Sequence, residues 1–304
     1  FLALLPFTSS TWEHAAHLLG PDEVIYWSKT NANPYDIDSN FEVAVDELLR
    51  YGRPHAALRC LYTMVADKQP FDSGRAVQAL LAALESAEGT NSMDAYETVE
   101  IIKTLQDDPA TDAADLFRVE WAYLPLLDQH SGAAPKLLAR RLATEPAFFC
   151  EVIRLVFRSK KDERTSEEPT QEKASIATNA YRLLSEWRNP PGCQADGSYD
   201  GDALNRWLTA VKKECSETGH LEIAMTMLGH ALIHVPPDPD GLWIHRSAAA
   251  ALNAKDAGDM RNGFLAELYN SRGVHWVDPT GAPERELATE YRAQAEAVEN
   301  AGYH

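Results

Sequence analysis

Residues 219–236, GHLEIAMTMLGHALIHVP, constrain the fold more than any other stretch. Leu221, Ala224, Met225, Leu228 and Leu232 recur at helical spacing, so they lay one apolar stripe along a helix that needs a partner to cover it. Gly219 separates this helix from the one before it. Pro236 and Pro237 end it, because proline lacks the amide hydrogen a helix interior requires. Aliphatic and aromatic residues elsewhere also fall in helical rather than alternating patterns, so little sheet is expected.

The spacing Gly219, Ala224, Leu228, Ala231, Pro236 resembles the second helix of a tetratricopeptide repeat, a helix pair recurring every ~34 residues with small residues at close helix approaches. Leu208, Val211 and Cys215 take the buried positions of the preceding helix, with Lys212 where the family has a small residue. Gly52, Ala57, Leu61 and Met64 repeat the spacing, with Pro70 one place late. Phe41, Ala44 and Leu48 fill the helix before them, and Val45 stands at the small position. The resemblance implies an all-α fold, an α-solenoid of stacked antiparallel helix pairs with about 12–14 helices.

Helix starts support that expectation. The patterns Ser10…Glu13 and Ser39…Glu42 read as capping boxes, in which serine and glutamate each satisfy a free backbone N–H. Further helices are expected after Pro54, Asp72, Ser92, Asp112, Pro135, Pro146 and Thr170, then from about Leu242, Asp256 and Pro283. Helix pairs thus begin near 40, 73, 112 and 146, a spacing of roughly 33 to 39 residues. Val24 to Trp27 reads as a short strand or extended linker. Residues 160–173 hold no apolar side chain and are expected to form a solvated loop, with the basic spot 158–161 as a mobile loop at its start. The chain is divided there, into helical regions 1–165 and 166–304.

A formal charge of −18 argues against nucleic acid or an anionic membrane as partner, since phosphate contact needs clustered Lys and Arg. No apolar run approaches the ~20 residues of a membrane span. Cys60, Cys150, Cys193 and Cys215 are far apart with no CxxC, which suggests free thiols in a reducing cytoplasm, three of them small buried hydrophobes on apolar helix faces. The chain opens at Phe1 and ends after an unfinished amphipathic run, so it reads as a segment of a longer protein.

His230 and His234, four apart, share one helix face and form a workable pair of zinc ligands, with His220, His245, Asp238 and Asp240 near in sequence. The plainer reading of histidines on such a helix is hydrogen-bonded packing. Arg272, His275, Trp276 and Asp278 bring a guanidinium, an imidazole, an indole and a carboxylate together in one loop, a set suited to contacting a partner. The plainer reading is that Trp276 pins the loop and Asp278 starts a turn. No GxSxG elbow, GxxxxGK[ST] loop or GxGxxG fingerprint occurs, so no catalytic residue and no cofactor are assigned.

The function expected is therefore that of a non-catalytic protein-interaction segment. The assembly resembles the helical C-terminal regions of large bacterial multidomain proteins, including the signal-transducing NTPases of anti-phage defence. That resemblance implies a cytoplasmic sensor or scaffold that binds a protein partner, other domains of the parent chain included. A metal-dependent hydrolase built on the clustered histidines and a structural oligomerisation segment are the alternatives.

Overall fold

The computed structural model describes all residues except 2–3, 87–91, 128–131, 162–169, 195, 272, 274–278 and 304, and the side chains of 92 and 93. Among the described residues the chain is helical throughout, with one isolated antiparallel bridge between Cys193 and Tyr199. No described helix is long and apolar enough to cross a membrane. The chain resolves into two compact units, Phe1–Leu137 and Leu138–His304. The boundary expected near 165 lies outside the described residues.

The first unit contains α1 (Ser9–Leu19), α2 (Glu23–Lys29), α3 (Phe41–Arg50), α4 (Pro54–Ala66), α5 (Ser73–Glu85), α6 (Ser92–Asp107) and α7 (Ala113–Ala122). Asp72 and Asp112 cap α5 and α7 as expected, accepting from the amides of Arg75 and of Ala114 and Asp115. The two capping boxes are corrected. Thr8 caps α1, its hydroxyl accepting from the Thr11 amide, so the helix starts ahead of Ser10. Before α3, Asn40 holds a left-handed conformation with no side-chain cap bond, while Asp38 accepts from the Ser39 amide and the Ser9 hydroxyl.

Val24 to Trp27 is helical, not extended. The α2 conformation lets the Trp27 indole donate to Glu23 one turn back at 2.8 Å and buries Tyr26 and Trp27 side by side. Phe7 and Trp12 complete this aromatic group, with ring centroids 5.0 to 5.8 Å apart. The Arg53 guanidinium donates to the carbonyls of Trp27 and Thr30 at 3.1 and 2.7 Å, supplying positive charge to the C-terminal end of α2.

Helix α8 (Lys136–Thr144) contains the division between units. The second unit continues with α9 (Pro146–Val156), α10 (Gln171–Ser185), α11 (Gly201–Thr218), α12 (Leu221–Leu232), α13 (Arg246–Asn253), α14 (Gly258–Asn270) and α15 (Ala282–Asn300). Its core is aromatic where α9 meets α11: Phe149 lies 4.9 Å from Trp207 and 5.5 Å from Trp187, and the Trp207 indole donates to the Leu142 carbonyl. Of the opening stripe, Ala224, Met225, Leu228 and Leu232 are buried, and Leu221 at the start of α12 is half-buried.

The α3–α4 and α11–α12 pairs close in the same way. Gly52 and Gly219 both adopt positive φ, 71° and 77°, which costs glycine little. The next amide then reaches back to the helix it leaves, Arg53 to Leu48 and His220 to Cys215, each at 2.8 Å. Past each turn, Ala57, Leu61 and Met64, and Ala224, Leu228 and Ala231, are buried in matching register.

The basic spot 158–161 is also corrected, because it caps a helix. Ser159 donates to the Thr218 carbonyl, the Lys160 amide to Gly219, and the Lys161 ammonium to Ser216 and Glu217 at 2.9 and 2.7 Å. These donors satisfy the free carbonyls at the end of α11 and place charge where its dipole favours it. Helix α13 begins later than expected, since Leu242 and Ile244 are buried in the preceding turn and Asp238 holds the Arg246 amide at 2.9 Å.

Candidate functional site

His230 lies in the last turn of α12 and His234 two residues beyond its end. The closest polar partner of His230 comes from α14, where Glu267 stands 3.3 Å from Nδ1. Arg188, just past α10, faces the same carboxylate at 3.6 Å and also donates to the Ser185 carbonyl. Burial pushes the His234 imidazole below its usual range, Arg188 adds to the shift, and Glu267 opposes it. Its Nε2 is enclosed with no hydrogen-bond partner. Glu267 therefore ties three elements together through an imidazole and a guanidinium.

His245 and Asp238 make a second cluster with other partners. The His245 ring packs on Tyr199 with centroids 4.8 Å apart, and its Nδ1 accepts from the Ser247 amide as the cap of α13. Asp238 accepts from the Arg246 and Asp240 amides, which hold its carboxyl below the usual range. His220 is bound to the Thr218 hydroxyl and the Phe157 carbonyl. Among the described residues no three His, Cys, Asp or Glu side chains converge as a metal site requires. In this structure His245 caps α13, His230 pairs with Glu267, and His234 is enclosed beside them.

Arg272, His275, Trp276 and Asp278 lie outside the described residues. By sequence they belong to the connection between α14 and α15, and those two helices frame an open apolar cleft in the second unit. Phe264, Leu265, Leu268 and Tyr269 of α14 face Leu287, Tyr291 and Val298 of α15 across a cleft of about 480 Å³, floored by Trp243. A smaller hollow of about 200 Å³ continues it through Trp243, Leu265 and Val298 toward Tyr303. Compared with protein-family models, curated proteins and solved structures, the chain matches none of them.

The cleft leaves apolar side chains open to solvent. Leu265 is 55% and Tyr269 79% exposed, and no residue of α15 is buried although its stripe faces the cleft. Its volume lies in the range of about 300–1,000 Å³ that binding pockets occupy. Among the described residues that line it, Glu284 is the charged side chain, and Arg261 lines the smaller hollow. The sequence signal was present in Leu287, Tyr291 and Val298 as a helical stripe, but periodicity does not reveal whether a stripe is fully covered.

Proposed function

We propose that the chain is a non-catalytic interaction segment of a larger bacterial cytoplasmic protein, its helix pairs stacked as a tetratricopeptide-like α-solenoid. The C-terminal cleft binds a protein partner through a cationic amphipathic helix. The shared glycine turn of α3–α4 and α11–α12 supports the repeat reading. The cleft carries the binding reading. It offers apolar side chains at helical spacing on two walls, the arrangement that takes an amphipathic helix by its i, i+4 and i+7 anchors. At 13 residues α14 is about 20 Å long, which matches roughly three to four turns of an occupant. Glu284 in the cleft and the chain's net charge of −18 favour lysine and arginine beside those anchors and disfavour acidic helices.

The test is calorimetric titration of the intact chain with a synthetic amphipathic helix bearing leucine and phenylalanine anchors flanked by lysine and arginine. Binding that weakens at least tenfold in Leu265→Asp, with no binding of a glutamate-flanked peptide, supports the reading. Equal binding by wild type and Leu265→Asp refutes the cleft as the site. Dimerisation abolished by the same substitution gives the cleft to a second copy and refutes the partner reading.

A further inference from the structure

All four cysteines are free, and two of them touch. Cys150 on α9 and Cys215 on α11 stand with their Sγ atoms 3.5 Å apart, each only 1% exposed. Their neighbours hold the two helices in register around them. Phe149 packs on Trp207 beside the thiols, and Arg154 pairs with Glu214 at 2.6 Å near the solvent edge. A disulfide bond is about 2.05 Å long, so the sulfurs need to close by roughly 1.5 Å, a distance within reach of side-chain rotation on helices already packed.

The other two thiols are placed differently. Cys60 is buried in the first unit, its thiol pushed up to about 12 by burial. Cys193 is half-buried beside Tyr199, to which it is bridged through the backbone.

We propose that Cys150 and Cys215 are a site of oxidative modification, converted by a peroxide into an intrachain disulfide that joins α9 to α11. Their mutual contact lowers Cys215 and raises Cys150, while burial raises both. Cys215 therefore gives up its proton first and supplies the nucleophile. Its thiolate attacks one peroxide oxygen, the O–O bond breaks, and the departing hydroxide takes up a proton to leave as water. The sulfenic acid at Cys215 is then attacked by the Cys150 sulfur. The S–S bond forms, the S–O bond breaks, and the second hydroxide leaves as water with the Cys150 proton. Two thiols lose two electrons and the peroxide gains two.

Because the resolving thiol already touches the sulfenic sulfur, the reaction ends at the disulfide and does not proceed to sulfinic acid. The bond would close a loop spanning 65 residues that includes α10, constraining the unfolded chain and raising the melting temperature. A dithiol reductant reverses it by exchange.

The intact chain is treated with hydrogen peroxide, denatured, alkylated and digested without reduction, and its peptides are weighed. The expected result is a fall from four alkylated cysteines to two or fewer, with one linked peptide containing Cys150 and Cys215. A rise in melting temperature that dithiothreitol cancels should accompany it, and Cys215→Ser should remove both signals. Cys193→Ser, which leaves the buried seam intact, should retain the linked peptide and carries the test if Cys215→Ser fails to fold. Full alkylation of Cys150 and Cys215 under peroxide that has already oxidised Cys193 overturns the proposal. So does a linked peptide that joins either of them to Cys193.

Discussion

Gly263 on α14 lies directly against the backbone of Thr226 on α12: a methyl group on Gly263 would stand 2.8 Å from the Thr226 carbonyl carbon. The approach is reciprocal, since a methyl group on Gly229 would stand 2.8 Å from the Phe264 amide nitrogen. Both are helix-interior positions where alanine would normally be preferred by about 0.5–1 kcal/mol. Here the neighbour is backbone and cannot rotate away.

Gly263→Ala and Gly229→Ala should therefore each destabilise the second unit by about 2 kcal/mol, the overpacking cost exceeding the propensity gain. Gly258→Ala is the control. It opens α14 with nothing within 4 Å of an added methyl, so it should be neutral or stabilise by about 0.5 kcal/mol. Urea unfolding of the three variants decides the matter. Equal stability of Gly263→Ala and wild type would mean that the helices are not packed this closely.

The same pair of glycines shows where sequence reading stopped. The stripe Ala224, Met225, Leu228 and Leu232 announced that α12 has a buried face, and Pro236 announced its end, because those signals are local. That α14 covers the face was not legible, since Gly229 and Gly263 are 34 positions apart and nothing in either helix identifies the other. The histidines show a related limit. Spacing puts His230 and His234 on one helix face, whereas α12 ends at Leu232 and His234 lies in the turn beyond it, and Glu267 and Arg188 reach them from elsewhere in the chain. Val24 to Trp27 failed for a different reason: β-branched and aromatic residues suit a strand by propensity, and the burial of Tyr26 and Trp27 against Phe7 and Trp12 overrode it. The open cleft beside α15 was illegible because a half-covered stripe and a fully covered one have the same sequence.

His234 should make the second unit acid-sensitive. Its pKa is lowered in the folded chain, first by burial and then by Arg188. Above the unfolded value of about 6.5 the imidazole is neutral in both states and nothing is lost. As pH falls through 6.5 the unfolded chain takes up the proton first, so stability declines until the folded value is passed. His234→Gln should flatten that decline, which denaturant titrations between pH 8 and 5 will show. Parallel curves for variant and wild type would assign the acid sensitivity to other groups.

Asp238 acts in a lower window. Its carboxyl is held below the usual range, first by the Arg246 amide and also by the Asp240 amide. The stabilisation is full above the unfolded value of about 3.9 and is lost as pH falls through the folded one. Asp238→Ala leaves two backbone donors without their acceptor and should cost about 2 kcal/mol at neutral pH, while Asp238→Asn should recover part of it. Thermal melts at pH 7 and pH 3 separate the two: the Ala penalty should shrink at pH 3.

Glu120 is fully buried in the first unit, its Oε1 accepting from the Gln106 amide at 2.6 Å and from the Leu137 backbone at 3.0 Å. The same Gln106 nitrogen donates to the Ala134 carbonyl, so one carboxylate and one amide hold the approach to α8. Glu120→Ala should destabilise the first unit by about 3 kcal/mol, because it strands buried donors and leaves a cavity. Glu120→Gln keeps an acceptor at the same reach and should cost less. Guanidinium unfolding of both variants provides the comparison, and equal penalties would show that packing volume, rather than the acceptor, is what matters.

Leu265 offers the sharpest separation of stability from binding. It is 55% exposed yet lines both hollows beside α15, so replacing it removes little buried area from the folded chain. Leu265→Asp should change the unfolding free energy by no more than about 0.5 kcal/mol, the usual range for an exposed position. An aspartate there places a charge among Phe264, Leu268 and Leu287, where a bound apolar anchor would have to desolvate it. Affinity for a cationic amphipathic helix should fall at least tenfold even though the new charge matches the peptide in sign complementarity, because desolvation outweighs a screened attraction at the rim. Leu228→Asp is the contrasting substitution: Leu228 is fully buried in α12, and its loss should unfold the second unit outright. Tighter peptide binding by Leu265→Asp than by wild type would show that charge alone drives association and that the apolar cleft plays no part.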